Sequence, residues 1–242
     1  MDLSRLQAVL LDMDGTLVDS DAAVERSWQT WAAEYPVDPG RGPLIAHGLP
    51  ALANVRRLLP DLSEDEAAAA AQYQLELEYV DVADIAATPG AHELLGELDR
   101  LGLPWAVVTS ADPPLARTRL AAAGIRPALL VTIDDVRAGK PDPEGYLLAL
   151  DALRKAARPL PTGDHGHGNE HDLLAEHCLV IEDSLAGVAS AKGAGMWAVG
   201  ITHTYTAPQL RQSGADAVIH GLDELTPDWI DRQFAKLPRP GG

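Results

Sequence analysis

Asp12-Met13-Asp14-Gly15-Thr16 sets two carboxylates two residues apart beside a glycine. If the chain curls there, both acids can be aimed at one point, and Gly15 supplies the backbone freedom for the curl. A carboxylate needs no deprotonation at neutral pH, so Asp12 can attack an electrophile such as phosphorus directly. Asp14 can protonate a leaving oxygen and then activate water, the usual division of labour between paired acids. The same string also suits an exposed acidic turn or a calcium loop, so it decides nothing alone.

Three further clusters carry related chemistry. Thr109-Ser110 precedes Pro113-Pro114, where a helix is expected to begin, and hydroxyls and N–H groups at such a turn can cradle a phosphate or simply cap the helix. Lys140, in Gly139-Lys140-Pro141-Asp142-Pro143, is one of only four lysines and can neutralise phosphate oxygens and a nearby carboxylate. Glu182-Asp183 puts adjacent acids just before a helix. Magnesium takes a few carboxylate oxygens beside water and substrate, so this pair and Asp12 suit a magnesium site.

The elements that must position these residues are legible as apolar runs. Ala8–Leu11 ends at Asp12, Trp105–Val108 at Thr109, and Leu179–Ile181 at Glu182; Leu129–Val131, Trp197–Val199 and Ala217–Ile219 complete the set. Runs without polar alternation suit strands buried on both faces of a parallel sheet. Helices are expected over Ala91–Leu101, Pro114–Ala123 and Ser184–Ala194, each followed by the glycine that favours a helix end. The expected fold is α/β, a doubly wound, Rossmann-like parallel sheet with ligands at the carboxyl ends of its strands.

Residues 17–88 break the rhythm. They contain no convincing strand and read as helices over Asp21–Glu34, Leu49–Leu59 and Glu64 to about Asp84, the last opened by a Ser63/Glu66 capping box. The Pro- and Gly-rich 36–43 stretch between the first two must be loop. The division is therefore a catalytic core over 1–16 and 89–242 and a helical cap over 17–88, tethered near Leu17 and Thr88-Pro89.

Bulk properties exclude several classes. A net charge of −17 argues against nucleic acid, which demands a basic footprint. No apolar run approaches the roughly 18 residues a membrane span requires. The opening residues lack a secretory pattern, and the single Cys178 suits a reducing compartment, so a cytoplasmic location is expected.

Four polar clusters at the ends of buried strands, in the order Asp-x-Asp, Thr/Ser, Lys, Glu-Asp, strongly resemble the haloacid dehalogenase superfamily of aspartate-nucleophile phosphatases. The likeness runs through residues 11–20, 108–110, 139–143 and 181–187 and covers nearly the whole chain. It implies that Asp12 is nucleophile and metal ligand, and that Asp14 is general acid/base with its carbonyl on the metal. It further implies that Thr109, Ser110 and Lys140 hold the phosphoryl group, and that Asp183 ligates Mg2+ with Glu182 nearby or acting through a water. Within the superfamily, residues 139–148 and His47-Gly48 are similar to those of small sugar- and polyol-phosphate phosphatases, which implies a small phosphorylated metabolite as substrate. His47 and Asn54 are then the cap's candidates for specificity, with the cap arginines beside them.

A β-phosphoglucomutase-like mutase shares these motifs. Such an enzyme holds a bisphosphate and wants basic cap residues, whereas this cap has no lysine, only Arg26, Arg41, Arg56 and Arg57. A non-catalytic regulatory module on the same fold would show degenerate motifs, and none is degenerate. Trp28, Trp31 and Tyr35 have the spacing of cap packing. The histidine-rich 164–177 stretch, with His165, His167, His171 and His177, reads as a solvated loop whose glycines fix no metal geometry.

Overall fold

The computed structural model describes residues 6–37, 48–157 and 173–234. Six strands form one parallel sheet: β1 (Ala8–Leu11), β4 (Trp105–Val108), β5 (Leu130–Val131), β6 (Cys178–Glu182), β7 (Trp197–Ile201) and β8 (Ala217–Ile219), in the spatial order β5-β4-β1-β6-β7-β8. The chain moves outward from β1 through β4 to β5, then returns to the other side of β1. This reversal makes the crevice above β1 the natural ligand position of a doubly wound sheet.

The lack of polar alternation in the strands has a direct cause. Val9, Leu11, Val107, Leu179 and Ile181 enter a core shared with helices α4 (Ala91–Leu101) and α5 (Pro113–Ala122). Their neighbours Ala8, Leu10, Ala106, Val108 and Val180 enter a second core beneath α6 (Glu144–Ala157), α7 (Leu185–Gly193) and α8 (Ala207–Gln212). Successive side chains point to opposite faces and both faces are covered, so every position is apolar. A last helix, α9 (Pro227–Phe234), closes the described chain, with Ile230 in the first core. Among the described residues no helix is long and apolar enough to cross a membrane.

Helices α1 (Asp21–Glu34), α2 (Ala51–Leu58) and α3 (Glu64–Val80) occupy the predicted helical stretch. The Ser63/Glu66 capping box opens α3, Ser63 N donating to Glu66 Oε2 at 3.0 Å and Glu66 N to Ser63 Oγ at 3.3 Å. These helices share a third core of Trp28, Trp31, Val55, Leu58 and alanines of α3. Tyr35 stacks on Trp31 with ring centroids 4.4 Å apart, and the Trp31 indole N–H donates to Ala70 O at 2.8 Å. The aromatic trio does serve packing.

The expectation of no strand in residues 17–88 needs correction. β2 (Val18–Asp19) and β3 (Ala86–Ala87) pair antiparallel where the helical stretch leaves and rejoins the sheet. Thr88 N donates to Leu17 O at 3.0 Å and its hydroxyl to Thr16 O at 2.6 Å. Two-residue strands are too short to show alternation, because their order comes from the partner rather than from local pattern. Helix α3 also stops at Val80, short of Asp84; Arg26 of α1 pairs with both Asp81 and Asp84, at 2.8 and 2.6 Å.

Trp31 carries the third core, so Trp31→Ala should cost about 3–5 kcal/mol in urea denaturation. A loss below about 1 kcal/mol would mean that the ring does not hold these helices together.

Candidate active site

Asp12 stands one residue past β1, its N–H donating to Ile181 O at 3.0 Å, which extends the strand's pairing by one step. The chain then folds back on itself. Met13 O accepts the N–H groups of Leu17 and Val18, both at 2.8 Å, and Gly15 takes φ 77°. A Cβ at Gly15 would lie 2.3 Å from Asp183 Oδ2, so both the conformation and the space demand glycine.

Lys140 is buried, and its ammonium makes three bonds: to Asp12 Oδ1, to Val108 O at 3.0 Å and to Glu182 Oε1 at 2.6 Å. Glu182 is wholly buried. It also accepts from the Tyr146 hydroxyl at 2.9 Å, and from Ser184 N and Oγ at 3.1 and 2.9 Å. A Cβ at Gly187 would sit 1.7 Å from Glu182 Oε1, so the first turn of α7 needs a glycine to admit this carboxylate. Asp183 accepts from the Thr204 hydroxyl.

Burial works against the charge on Lys140, yet Asp12 and Glu182 outweigh it and push the lysine above its usual range. Burial pushes Asp12 up; Lys140 opposes this, while Glu182 and Asp183 add to it. Asp183 is pushed up by burial and by Glu182, against the Thr204 bond and Lys140. Three buried carboxylates thus face one ammonium. Asp12, Glu182 and Asp183 each offer an oxygen within 4.8 Å of the others, so a divalent cation fits both the geometry and the missing charge. The donors are all hard oxygens, which suit magnesium-like ions rather than soft metals.

Above this floor opens a cleft of about 710 Å³, counted out to open solvent. Asp12, Asp14, Thr109, Ser110 and Asn54 line it, with Trp28, Gln74, Glu78 and Arg119. Thr109 Oγ1 accepts from Ala111 N at 3.1 Å, and Ser110 donates to Gly48 O at 2.8 Å. Of the cap candidates, Asn54 is buried in the cleft wall, whereas His47 and Arg41 lie outside the described residues. Arg26 is committed to its aspartates, and Arg56 and Arg57 are exposed away from the cleft lining. His165, His167 and His171 also lie outside the described residues.

Sequence reading missed Arg119. It is buried at 3% exposure, with Nη1 3.0 Å from Asp14 Oδ2 and Nη2 2.8 Å from Glu78 Oε2. Asp14 Oδ1 accepts from Ser20 Oγ at 2.7 Å. Burial opposes the Arg119 charge and raises the Glu78 carboxyl, but their pairing and Asp14 keep the guanidinium charged. One signal was available: Arg119 falls on the Leu115, Ala116, Leu120 face of α5, where a buried arginine demands carboxylate partners.

A doubly wound sheet thus carries a carboxylate–lysine centre at its carboxyl edge, and helices that follow the first strand line the cleft above it. The chain belongs to the haloacid dehalogenase-like hydrolase family, whose sequence model matches residues 6–195. It is 35% identical over 223 residues to hexitol phosphatase A of Escherichia coli (strain K12), covering 92% of this chain and 94% of that protein. It is 33% identical over 229 residues to 2-deoxyglucose-6-phosphate phosphatase 1 of Saccharomyces cerevisiae (strain ATCC 204508 / S288c), covering 90% and 88%. The crystal structure of a hydrolase from Pseudomonas syringae superposes with a TM-score of 0.76 at 26% identity, over 93% of this chain and 98% of that one.

The cluster's charge imbalance gives a stability test. Magnesium or manganese chloride at a hundredfold excess over Kd should stabilise the fold by about 2.7 kcal/mol in thermal unfolding. Asp183→Asn should lose most of that gain. A wild-type midpoint indifferent to both ions would count against a cation at this position.

Proposed function

We propose that the chain hydrolyses a small sugar or polyol monophosphate with magnesium as its cation, by way of a phosphoryl group carried on Asp12. One observation carries this reading: Asp12 lies on the floor of a cleft, bonded to a buried lysine and flanked by Asp183, with Asp14, Thr109 and Ser110 on the surrounding walls. The class, a phosphoric monoester hydrolase, agrees with the family and with the activities named for its relatives.

In the first step an Asp12 carboxylate oxygen attacks phosphorus, the bond to the sugar oxygen breaks, and Asp14 gives that oxygen its proton. In the second, Asp14 takes a proton from water, the water oxygen attacks phosphorus, and the Asp12–phosphorus bond breaks to release phosphate. Asp12, Asp183 and the Asp14 carbonyl would hold magnesium, which when bound offsets negative charge on the phosphoryl oxygens. Glu182 spends its oxygens on Lys140, Tyr146 and Ser184, so its part is to hold the lysine. Lys140, Thr109 and Ser110 bind the transferring group, where positioning and electrostatics supply most of the rate.

Residues 17–88 serve as a lid over the core formed by 1–16 and 89–242, with Asn54 of the cleft wall in reach of the leaving group. The β2–β3 pair is the compact joint through which such a lid can hinge.

Asp12→Asn should abolish steady-state phosphate release from hexitol and hexose phosphates while leaving the melting curve near wild type; substantial turnover would overturn the nucleophile assignment. The cleft also speaks against a mutase. Among its described lining residues Arg119 is the one cation, and it already serves two carboxylates. An unpaired second phosphate there would cost about 1–3 kcal/mol, or roughly tenfold to a hundredfold in affinity. A hexose bisphosphate should therefore be a correspondingly poorer substrate than the monophosphate. Equal kcat/KM for the two would favour the mutase.

A further inference from the structure

Arg119 joins two parts of the molecule that the sequence keeps apart. Its Nη1 holds Asp14 on the loop after β1, and its Nη2 holds Glu78 on α3. Glu78 is in turn held by Gln74, whose amide also reaches Ser27 of α1 at 3.2 Å. A second contact lies alongside, the Tyr79 hydroxyl donating to the Asp112 carboxylate that caps α5. Helix α3 therefore docks on α5 through paired polar groups, and one of them touches the Asp14 carboxylate.

A guanidinium is a planar fork, so fixing one arm orients the other. Both Asp14 oxygens are engaged, Oδ1 by Ser20 and Oδ2 by Arg119, and Arg119 Nε is buried without a partner. The leucine and alanine packing around Arg119 on α5 cannot by itself aim so long a side chain; the anchor at its far arm is Glu78. We propose that Arg119 is a positioning residue for Asp14, and that Glu78 makes this positioning depend on the docking of α3. With α3 docked, Arg119 is pinned at both arms and the Asp14 carboxylate points one way. With α3 lifted, Arg119 loses its outer anchor and Asp14 its fixed direction. Lid closure then completes the acid/base geometry as well as excluding water. The inference rests on the phosphatase reading above, since it assigns Asp14 a proton-transfer role.

The test compares turnover with the affinity of beryllium fluoride, a phosphoryl mimic that binds at Asp12 with magnesium and needs no acid/base. Arg119→Met should lower kcat by about a hundredfold while beryllium fluoride affinity stays within about twofold of wild type. Glu78→Ala should lower kcat by about tenfold, and the double variant should be no worse than Arg119→Met, because both changes break one linkage. Arg119→Lys, which keeps the charge without the fork, should fall between wild type and Arg119→Met. Should Arg119→Met fail to fold, Glu78→Ala and Arg119→Lys carry the same two readouts. Unchanged kcat, additive losses in the double variant, or beryllium fluoride affinity falling in step with kcat would each overturn the assignment. A wild-type protein that neither releases phosphate nor binds beryllium fluoride would instead overturn the phosphatase reading itself.

Discussion

An ammonium group has three N–H donors, and Lys140 uses all of them on acceptors from three neighbouring strands. Asp12 follows β1, Val108 ends β4, and Glu182 ends β6, and the sheet order sets β4, β1 and β6 side by side. The three acceptors converge only in the observed register, with Leu11 opposite both Val107 and Ile181. A slip by one residue would turn every side chain to the other face. It would also leave a buried charge without partners, which costs several kcal/mol. The apolar cores therefore fix the register, and the register brings the lysine's acceptors together.

That arrangement leaves a surplus of negative charge. Asp12, Glu182 and Asp183 are buried against a single ammonium, and burial makes each uncompensated charge expensive. The fold tolerates the surplus through short local devices: Gly187 opens space for Glu182, Gly15 lets Asp183 approach the loop after β1, and Thr204 bonds Asp183. A divalent cation held among them would complete the balance and, on the proposed reading, let an acidic pocket accept a phosphate ester. The chain's net charge of −17 is then no obstacle, because the field at the phosphoryl group is set by charges a few ångströms away.

Much of this is legible in the sequence. Asp12, Thr109 and Glu182 each follow a run of apolar residues buried on both faces, and a parallel sheet brings the carboxyl ends of such runs to one edge. Sequence separation is then no barrier: Asp12 and Lys140 are 128 residues apart and still foreseeable as neighbours. The β2–β3 pair was not legible, because two residues cannot display a period. Nor was the division of roles between Glu182 and Asp183, since adjacent acids look alike until Gly187, Tyr146 and Ser184 are seen to claim one of them.

The helices between β2 and β3 were harder for a different physical reason. They have their own core around Trp31, so packing constrains their inner apolar faces and leaves the residues toward the cleft free to vary. No sheet edge assigns those residues a position. Glu78 lies in a helix rich in alanine and glutamate, where one buried carboxylate cannot be told from its solvated neighbours by spacing. Arg119 is different, because its place on an apolar helix face marks it as buried, and burial obliges it to find carboxylates. The partners had to come from whatever element covers α5, and the residues on either side of that contact are Asp14 below and Glu78 above. A buried arginine on an otherwise apolar stripe is thus the sequence feature that points across the boundary between these helices and the sheet.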